Sequence, residues 1–79
     1  TFTLTGEIDP AASATVPGSG TAFLSEISIG DEIVVQGETR TVSAIASDTS
    51  LTVTSAFSNN GNDATPDCNP TALVDVIIN

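Results

Sequence analysis

The sequence predicts a small all-β fold, a barrel or sandwich of about five or six short strands with at most one short helical turn. Apolar residues, many of them β-branched, alternate with Thr and Ser along several short stretches, as they do in half-buried strands. Clusters of Gly, Pro, Asp and Asn separate these stretches at short intervals. The chain has 79 residues, the size of one domain, so we expect residues 1–79 to form a single β domain.

The first part of the chain is predicted to contain two strands and a helical turn. Apolar residues alternate with Thr in residues 1–5, which predicts a half-buried strand. Residues 13–16 predict a second strand, and the Pro-Gly-Ser-Gly cluster at residues 17–20 is predicted to end it. Residues 21–28 carry apolar side chains at helical spacing over one turn, so a short helical turn or a loop is expected between strands.

The second part of the chain gives a clearer strand pattern. Residues 32–36 and 39–46 predict a hairpin around a Gly-containing turn, and residues 51–55 alternate regularly as a further strand. Residues 58–70 are rich in Asn, Asp, Gly and Pro and predict a polar loop. Residues 73–78 predict a final strand that is apolar on both sides.

The spacing of two apolar residues predicts a bulge in the strand at residues 39–46. Val42 and Ile45 are three positions apart, so they cannot share one face of a regular strand, and a bulge or strong bend near Ala44 would reconcile them. Bends of this kind let a short sheet curl into a barrel. We therefore expect a barrel or sandwich of the SH3-like or OB-like kind.

The composition excludes several classes of function. The chain has ten acidic residues, one basic residue and no His, and its net charge is -9. One Cys and no His leave no Cys/His zinc site and no Ser–His or Cys–His dyad, so we expect no enzyme and no cofactor. Arg40 alone cannot neutralise a phosphate backbone, so we expect no nucleic-acid binding. No apolar run is long enough to span a membrane, so direct membrane insertion is not expected.

Oxygen-bearing side chains in the polar loop make calcium the one metal to consider. The candidate ligands are Asn60, Asn62, Asp63 and Asp67. Their spacing does not match the EF-hand pattern, and Asn60-Gly61 is better explained as a tight turn with positive φ. The favoured prediction is therefore that the loop holds no metal.

The remaining polar and aromatic residues are interpreted as structural. The adjacent acids Asp31 and Glu32 are expected to be solvated, and Arg40 to form a surface ion pair with one of several nearby acids, such as Glu38. Cys68 has no basic neighbour in sequence and is expected to be a buried or half-buried small hydrophobe, with a disulfide to another chain as the alternative. The three phenylalanines are expected in the core.

Marginal size and the two-sided final strand predict a partner chain. A domain this small gains stability from association when it has no disulfide or metal, and an apolar face on a terminal strand is a natural contact surface. The predicted interface consists of apolar residues near the two ends of the chain: Phe2, Leu4, Val74, Val76 and Ile78.

Four segments carry a resemblance to a known family. They are residues 20–24 (GTAFL), 29–33 (IGDEI), 37–42 (GETRTV) and 45–53 (IASDTSLTV). Together they resemble a small β module of bacterial surface proteins and phage virion proteins, and the chain is most similar to the second, globular domain of geopilins, a group of type IV pilins. The resemblance covers roughly residues 15–57. A pilin's long apolar N-terminal helix is not in this sequence, so the resemblance applies to a split pilin, whose β-rich chain is separate from its helical chain.

The resemblance implies a non-catalytic structural subunit. It would be the surface-exposed β domain of an extracellular type IV pilus-like filament, docked on a helical pilin-type subunit and next to further copies of itself, with a signal peptide already removed. The first alternative is a phage capsid-decoration or tail module, which would be located in a virion. The second is a calcium- or carbohydrate-binding module, although the absence of Trp and Tyr weakens the carbohydrate version.

Overall fold

The computed structural model describes residues 1–70, which form seven strands and one helical turn. The strands are β1 (Phe2–Thr3), β2 (Glu7–Ile8), β3 (Thr15–Ser19), β4 (Glu32–Val35), β5 (Glu38–Ser47), β6 (Ser50–Val53) and β7 (Asp67–Asn69), and the helical turn is α1 (Phe23–Glu26). The all-β prediction and the short helical turn are confirmed. The predicted strand at residues 73–78 lies outside the described residues.

All seven strands belong to one antiparallel sheet that closes on itself. The strand order is β1-β7-β4-β5-β6-β3-β2, so the two outermost strands are consecutive in the chain. Between them, the Leu4 N–H donates to the Pro66 carbonyl (2.7 Å), and Ile8 forms an isolated antiparallel bridge with Asp63. The first eight residues therefore run along β7 and the segment before it, then cross to β3, and the sheet forms a small barrel.

The strand count exceeds the predicted five or six because β2 and β7 lie in segments where no strand was predicted. Gly6 separates β1 from β2 with a φ of +83°, a conformation that favours glycine. A Cβ at Gly6 would lie 2.6 Å from the carbonyl carbon of Gly20, so the backbones approach closely at this bend. The bend allows one short segment to pair with β7 before it and with β3 after it.

Two parts of the chain that were predicted as turn or loop are strands. β3 continues through the Pro-Gly-Ser cluster at residues 17–19, where Pro17 lies opposite Ser50 in the β3–β6 pair. β7 lies within the predicted polar loop at residues 58–70, and Cys68 is its single buried apolar residue. Both predictions were wrong because turn-forming residues can occupy short strands when neighbouring strands supply the hydrogen bonds.

The predicted bulge in the long strand is confirmed. β5 pairs with β4 through its first part and with β6 through its second, and its register with β6 shifts between Val42 and Ala44. Val42 is fully buried, while Ile45 is half-buried and packs against the same core. The bulge thus turns both residues toward the barrel interior and bends β5 around it.

One hydrophobic core fills the barrel. Its apolar members are Leu4, Ile8, Val16, Phe23, Ile27, Ile33, Val35, Val42, Leu51, Val53, Phe57 and Cys68. Phe23 and Phe57 are the largest of these, and both come from connections between strands. The prediction that all three phenylalanines are in the core is wrong for Phe2, whose side chain is 37% exposed on the short outermost strand.

Candidate docking surface

Three large apolar side chains are exposed among the described residues. They are Phe2, which is 37% exposed, Leu24 (61%) and Ile29 (66%). Leu24 and Ile29 both lie in the connection between β3 and β4, and Phe2 lies in β1. Every other large apolar residue of the described chain is buried or half-buried, so these three are the candidate contacts for a partner.

Within residues 1–70, β1 has a neighbouring strand on one side only, which leaves Phe2 exposed. It lies opposite Cys68 in the β1–β7 pair, and Cys68 lies opposite Ile33 in the β4–β7 pair. Cys68 and Ile33 are fully buried, whereas the Phe2 ring lies at the free edge of this set of strands. The Thr1 hydroxyl donates to the Asn69 side-chain oxygen, so both limits of the described chain meet beside Phe2.

Of the other residues of the predicted interface, only Leu4 lies within the described residues, and it is not on this surface. Leu4 is 4% exposed and belongs to the core, which makes it unavailable to a partner while the barrel is folded. Val74, Val76 and Ile78 lie outside the described residues.

Leu24 points outward because α1 is a single turn whose inward positions are taken by its neighbours. Phe23 is completely buried and Ile27 is 5% exposed, which directs the side chain between them toward solvent. The Leu24 N–H donates to the Asp48 carboxylate (3.0 Å). On the other side of the turn, the Glu26 carboxylate accepts the backbone N–H of Thr5 (2.9 Å) and its hydroxyl (2.7 Å), and these bonds lower the pKa of Glu26.

Ile29 is held in place by a turn in which Asp31 is buried. The Gly30 N–H donates to the Val42 carbonyl (2.9 Å), and the Val42 N–H donates to the Asp31 carbonyl (2.8 Å). The Asp31 carboxylate accepts the Ser28 N–H (2.9 Å) and is only 3% exposed. The prediction that Asp31 is solvated was wrong, because its carboxylate folds back onto the turn that presents Ile29.

Cys68 is buried next to Asp31, which confirms the prediction of a small buried hydrophobe. Its Sγ lies 3.9 Å from the Asp31 carboxylate and is fully buried. Burial raises the pKa of the Cys68 thiol to about 11, and the nearby Asp31 charge adds to this effect. The thiol is therefore both protonated and inaccessible in the folded chain.

The calcium candidates form other contacts. Both oxygens of Asp63 accept backbone N–H groups, one from Gln36 (2.7 Å) and one from Thr65 (2.9 Å), and the Asn62 side-chain amide donates to Glu7 (3.1 Å). Asn60 is exposed, and Asp67 lies in β7. Within residues 1–70, no three acidic, Cys or His residues are grouped so that they could hold a metal ion.

The Asn60-Gly61 step also differs from the prediction, because neither residue has a positive φ. The Gly61 N–H donates to the Asn59 side-chain oxygen instead (3.0 Å), so a side chain rather than a left-handed backbone forms the turn. A positive φ occurs elsewhere, at Gln36 and Gly37 between β4 and β5, where a tight hairpin requires it.

The predicted Arg40–Glu38 ion pair is confirmed, with 3.7 Å between nitrogen and oxygen, and it is part of a larger network. Arg40 also covers the Phe57 ring at 5.4 Å from its centroid. Glu38 accepts the backbone N–H of Ser58 (3.0 Å), its hydroxyl, and the side-chain amide of Asn59 (2.7 Å). These bonds, chiefly that from the Ser58 hydroxyl, lower the pKa of Glu38 to about 2. Sequence reasoning found the ion pair but not this network, whose partners are about twenty residues apart.

The described residues enclose no pocket. Within residues 1–70, no helix is long and apolar enough to cross a membrane. No protein-family model, no curated protein and no solved structure matches the chain.

Proposed function

We propose that the chain is a non-catalytic structural subunit, the surface-exposed β domain of an extracellular type IV pilus-like filament, and that it docks on a separate helical pilin chain. The assignment to a filament rests on the resemblance of residues 20–53 to the geopilin β domain. The docking proposal rests on one observation. Within residues 1–70, Leu24 and Ile29 are exposed in a single connection, whereas the other large apolar residues apart from Phe2 are buried or half-buried.

The charge of the chain supports the same proposal. A net charge of -9 keeps the outer surface of a filament hydrated and makes neighbouring filaments repel one another. Acidic side chains flank the exposed apolar residues, since Asp48 bonds to the Leu24 N–H and Glu26 follows in the same turn. A partner that offers apolar side chains with Lys or Arg beside them would complement this surface.

Purification of the native chain with its assembly is the direct test. Filaments sheared from the source cells are expected to contain this chain together with a helix-bearing pilin, and mild detergent is expected to separate the two. Recovery of the chain as a free monomer with no helical partner would overturn the proposal. Recovery on phage particles would replace the filament with a virion.

A pair of variants tests the docking surface itself. Leu24→Ser combined with Ile29→Ser is expected to abolish incorporation into filaments while leaving the Tm of the isolated chain nearly unchanged, since both side chains are exposed. The matched control is Ala64→Ser, an exposed apolar-to-polar change in the opposite connection, which is expected to incorporate normally. Normal incorporation of the double variant would place the docking surface elsewhere.

A further inference from the structure

Residues 58–62 contain a chemically reactive Asn-Gly pair, Asn60-Gly61, that the proposed function does not use. Asn60 is exposed, and none of its side-chain atoms bonds to another described residue. Gly61, which follows it, has no side chain to shield its backbone nitrogen, and both residues lie in the connection between β6 and β7. Asparagine is among the least heat-stable residues in proteins because its side-chain amide can be lost.

We propose that Asn60 is a site of spontaneous deamidation and that the side chain of Asn59 restrains the reaction. The backbone nitrogen of Gly61 attacks Cγ of Asn60, an N–Cγ bond forms, and the Cγ–Nδ2 bond breaks. The proton of the Gly61 N–H leaves with the side-chain nitrogen as ammonia. Water then opens the resulting succinimide at either carbonyl, which gives aspartate or isoaspartate, and no electron is transferred.

The other asparagines of the described chain are poorly placed for the same reaction. Asn69 precedes Pro70, whose nitrogen carries no proton and cannot form the imide. The side-chain amide of Asn59 is bound to Glu38, and that of Asn62 is bound to Glu7. A side chain follows each of those two, Asn60 and Asp63 respectively, so their attacking nitrogens are more shielded than that of Gly61.

The restraint comes from a chain of three hydrogen-bonded groups. Glu38 accepts the Asn59 amide nitrogen (2.7 Å), and the Asn59 side-chain oxygen accepts the Gly61 N–H (3.0 Å). The nitrogen that must lose its proton and attack is therefore held by another side chain in the native turn. Deamidation requires this bond to open, so its rate follows local opening of the connection rather than unfolding of the barrel.

The reaction would change the surface of the chain. Either product adds one carboxylate to a chain whose net charge is already -9. The isoaspartate product also inserts an extra main-chain carbon next to Gly61, close to the Gln36 side chain, which itself donates to the Asn62 carbonyl (2.6 Å). The contact between this connection and the β4–β5 hairpin would have to rearrange.

Incubation of the purified full chain in mildly alkaline buffer tests the proposal. Anion exchange and peptide mass spectrometry are expected to show a more acidic form, modified at Asn60 but not at Asn59, Asn62 or Asn69. Asn60→Gln is expected to abolish that form, and Gly61→Ala to slow its appearance. Absence of conversion at Asn60, or faster conversion at another asparagine, would overturn the site.

Asn59→Ala tests separately whether the Asn59 side chain slows the deamidation of Asn60. This variant releases the Gly61 N–H and is expected to convert faster than the parent chain, approaching the rate of the parent unfolded in urea. Glu38→Ala removes the acceptor at the other end of the same chain of bonds and is expected to act in the same direction. If the folded parent and Asn59→Ala convert at equal rates, Asn59 does not restrain the reaction.

Discussion

Two connections cover the barrel, and they are held in place in opposite ways. The connection between β3 and β4, residues 20–31, is held mainly by apolar side chains and leaves two further ones exposed. The connection between β6 and β7, residues 54–66, buries one aromatic side chain and is otherwise held by carboxylates that accept hydrogen bonds. The second connection exposes mainly polar residues, whereas the first exposes Leu24 and Ile29, which form the proposed docking surface.

The largest expected effect tests what the two connections share. Phe23 and Phe57 each place a ring in the core, with 0% and 1% exposure. Phe23→Ala and Phe57→Ala should each lower the free energy of unfolding by about 3–5 kcal/mol in urea titrations. The control Leu24→Ala removes a 61% exposed side chain and should change stability by less than about 0.5 kcal/mol. A comparable loss for Leu24→Ala would show that Leu24 contributes to the fold rather than to a docking surface.

The next effect concerns the buried acid of the first connection. Asp31→Ala removes the acceptor of the Ser28 N–H in a site that is 3% exposed, and should cost about 1–3 kcal/mol. Asp31→Asn keeps one acceptor oxygen and should cost less, as measured by thermal unfolding. Equal stability of Asp31→Ala and the parent would mean that Val42, through its two backbone bonds to this turn, is sufficient to hold it.

The strands were easier to predict from the sequence than the connections were. Regular alternation predicted β4, β5 and β6 nearly to their limits, and the spacing of Val42 and Ile45 predicted the bulge, because local pattern determines both. The burial of Asp31 depends on Ser28, Cys68 and the neighbouring strands, which come together only in the closed barrel. The exposure of Leu24 likewise depends on which side of α1 packs on the core. Phe23, Leu24 and Ile27 are all apolar, so the sequence does not show which of them faces solvent.

A smaller effect is expected at Asp63 in the second connection. Asp63→Ala removes the acceptor of the Gln36 and Thr65 N–H groups, and should cost about 1 kcal/mol because water can replace a partly exposed carboxylate. Gln36 has a φ of 53°, so loss of this bond should also increase amide hydrogen exchange in the β4–β5 turn. The matched control Asn60→Ala, in the same connection, should leave both measurements unchanged. If only Asn60→Ala changed stability and hydrogen exchange, the stabilisation would belong to Asn60 rather than to Asp63.

The smallest effect is a dependence on acid that comes from the bonds between Glu38 and the second connection. The folded pKa of Glu38 is about 2, below its ordinary value of 4.5, so the unfolded chain binds the proton more readily. The stabilisation is therefore complete above pH 4.5 and disappears as the pH falls toward 2. Glu38→Gln should lack this part of the acid dependence of Tm, and Ser58→Ala should reduce it, because the Ser58 hydroxyl contributes most to the low pKa. Identical acid dependence in the parent and Glu38→Gln would show that the carboxylate does not hold residues 58 and 59 in solution.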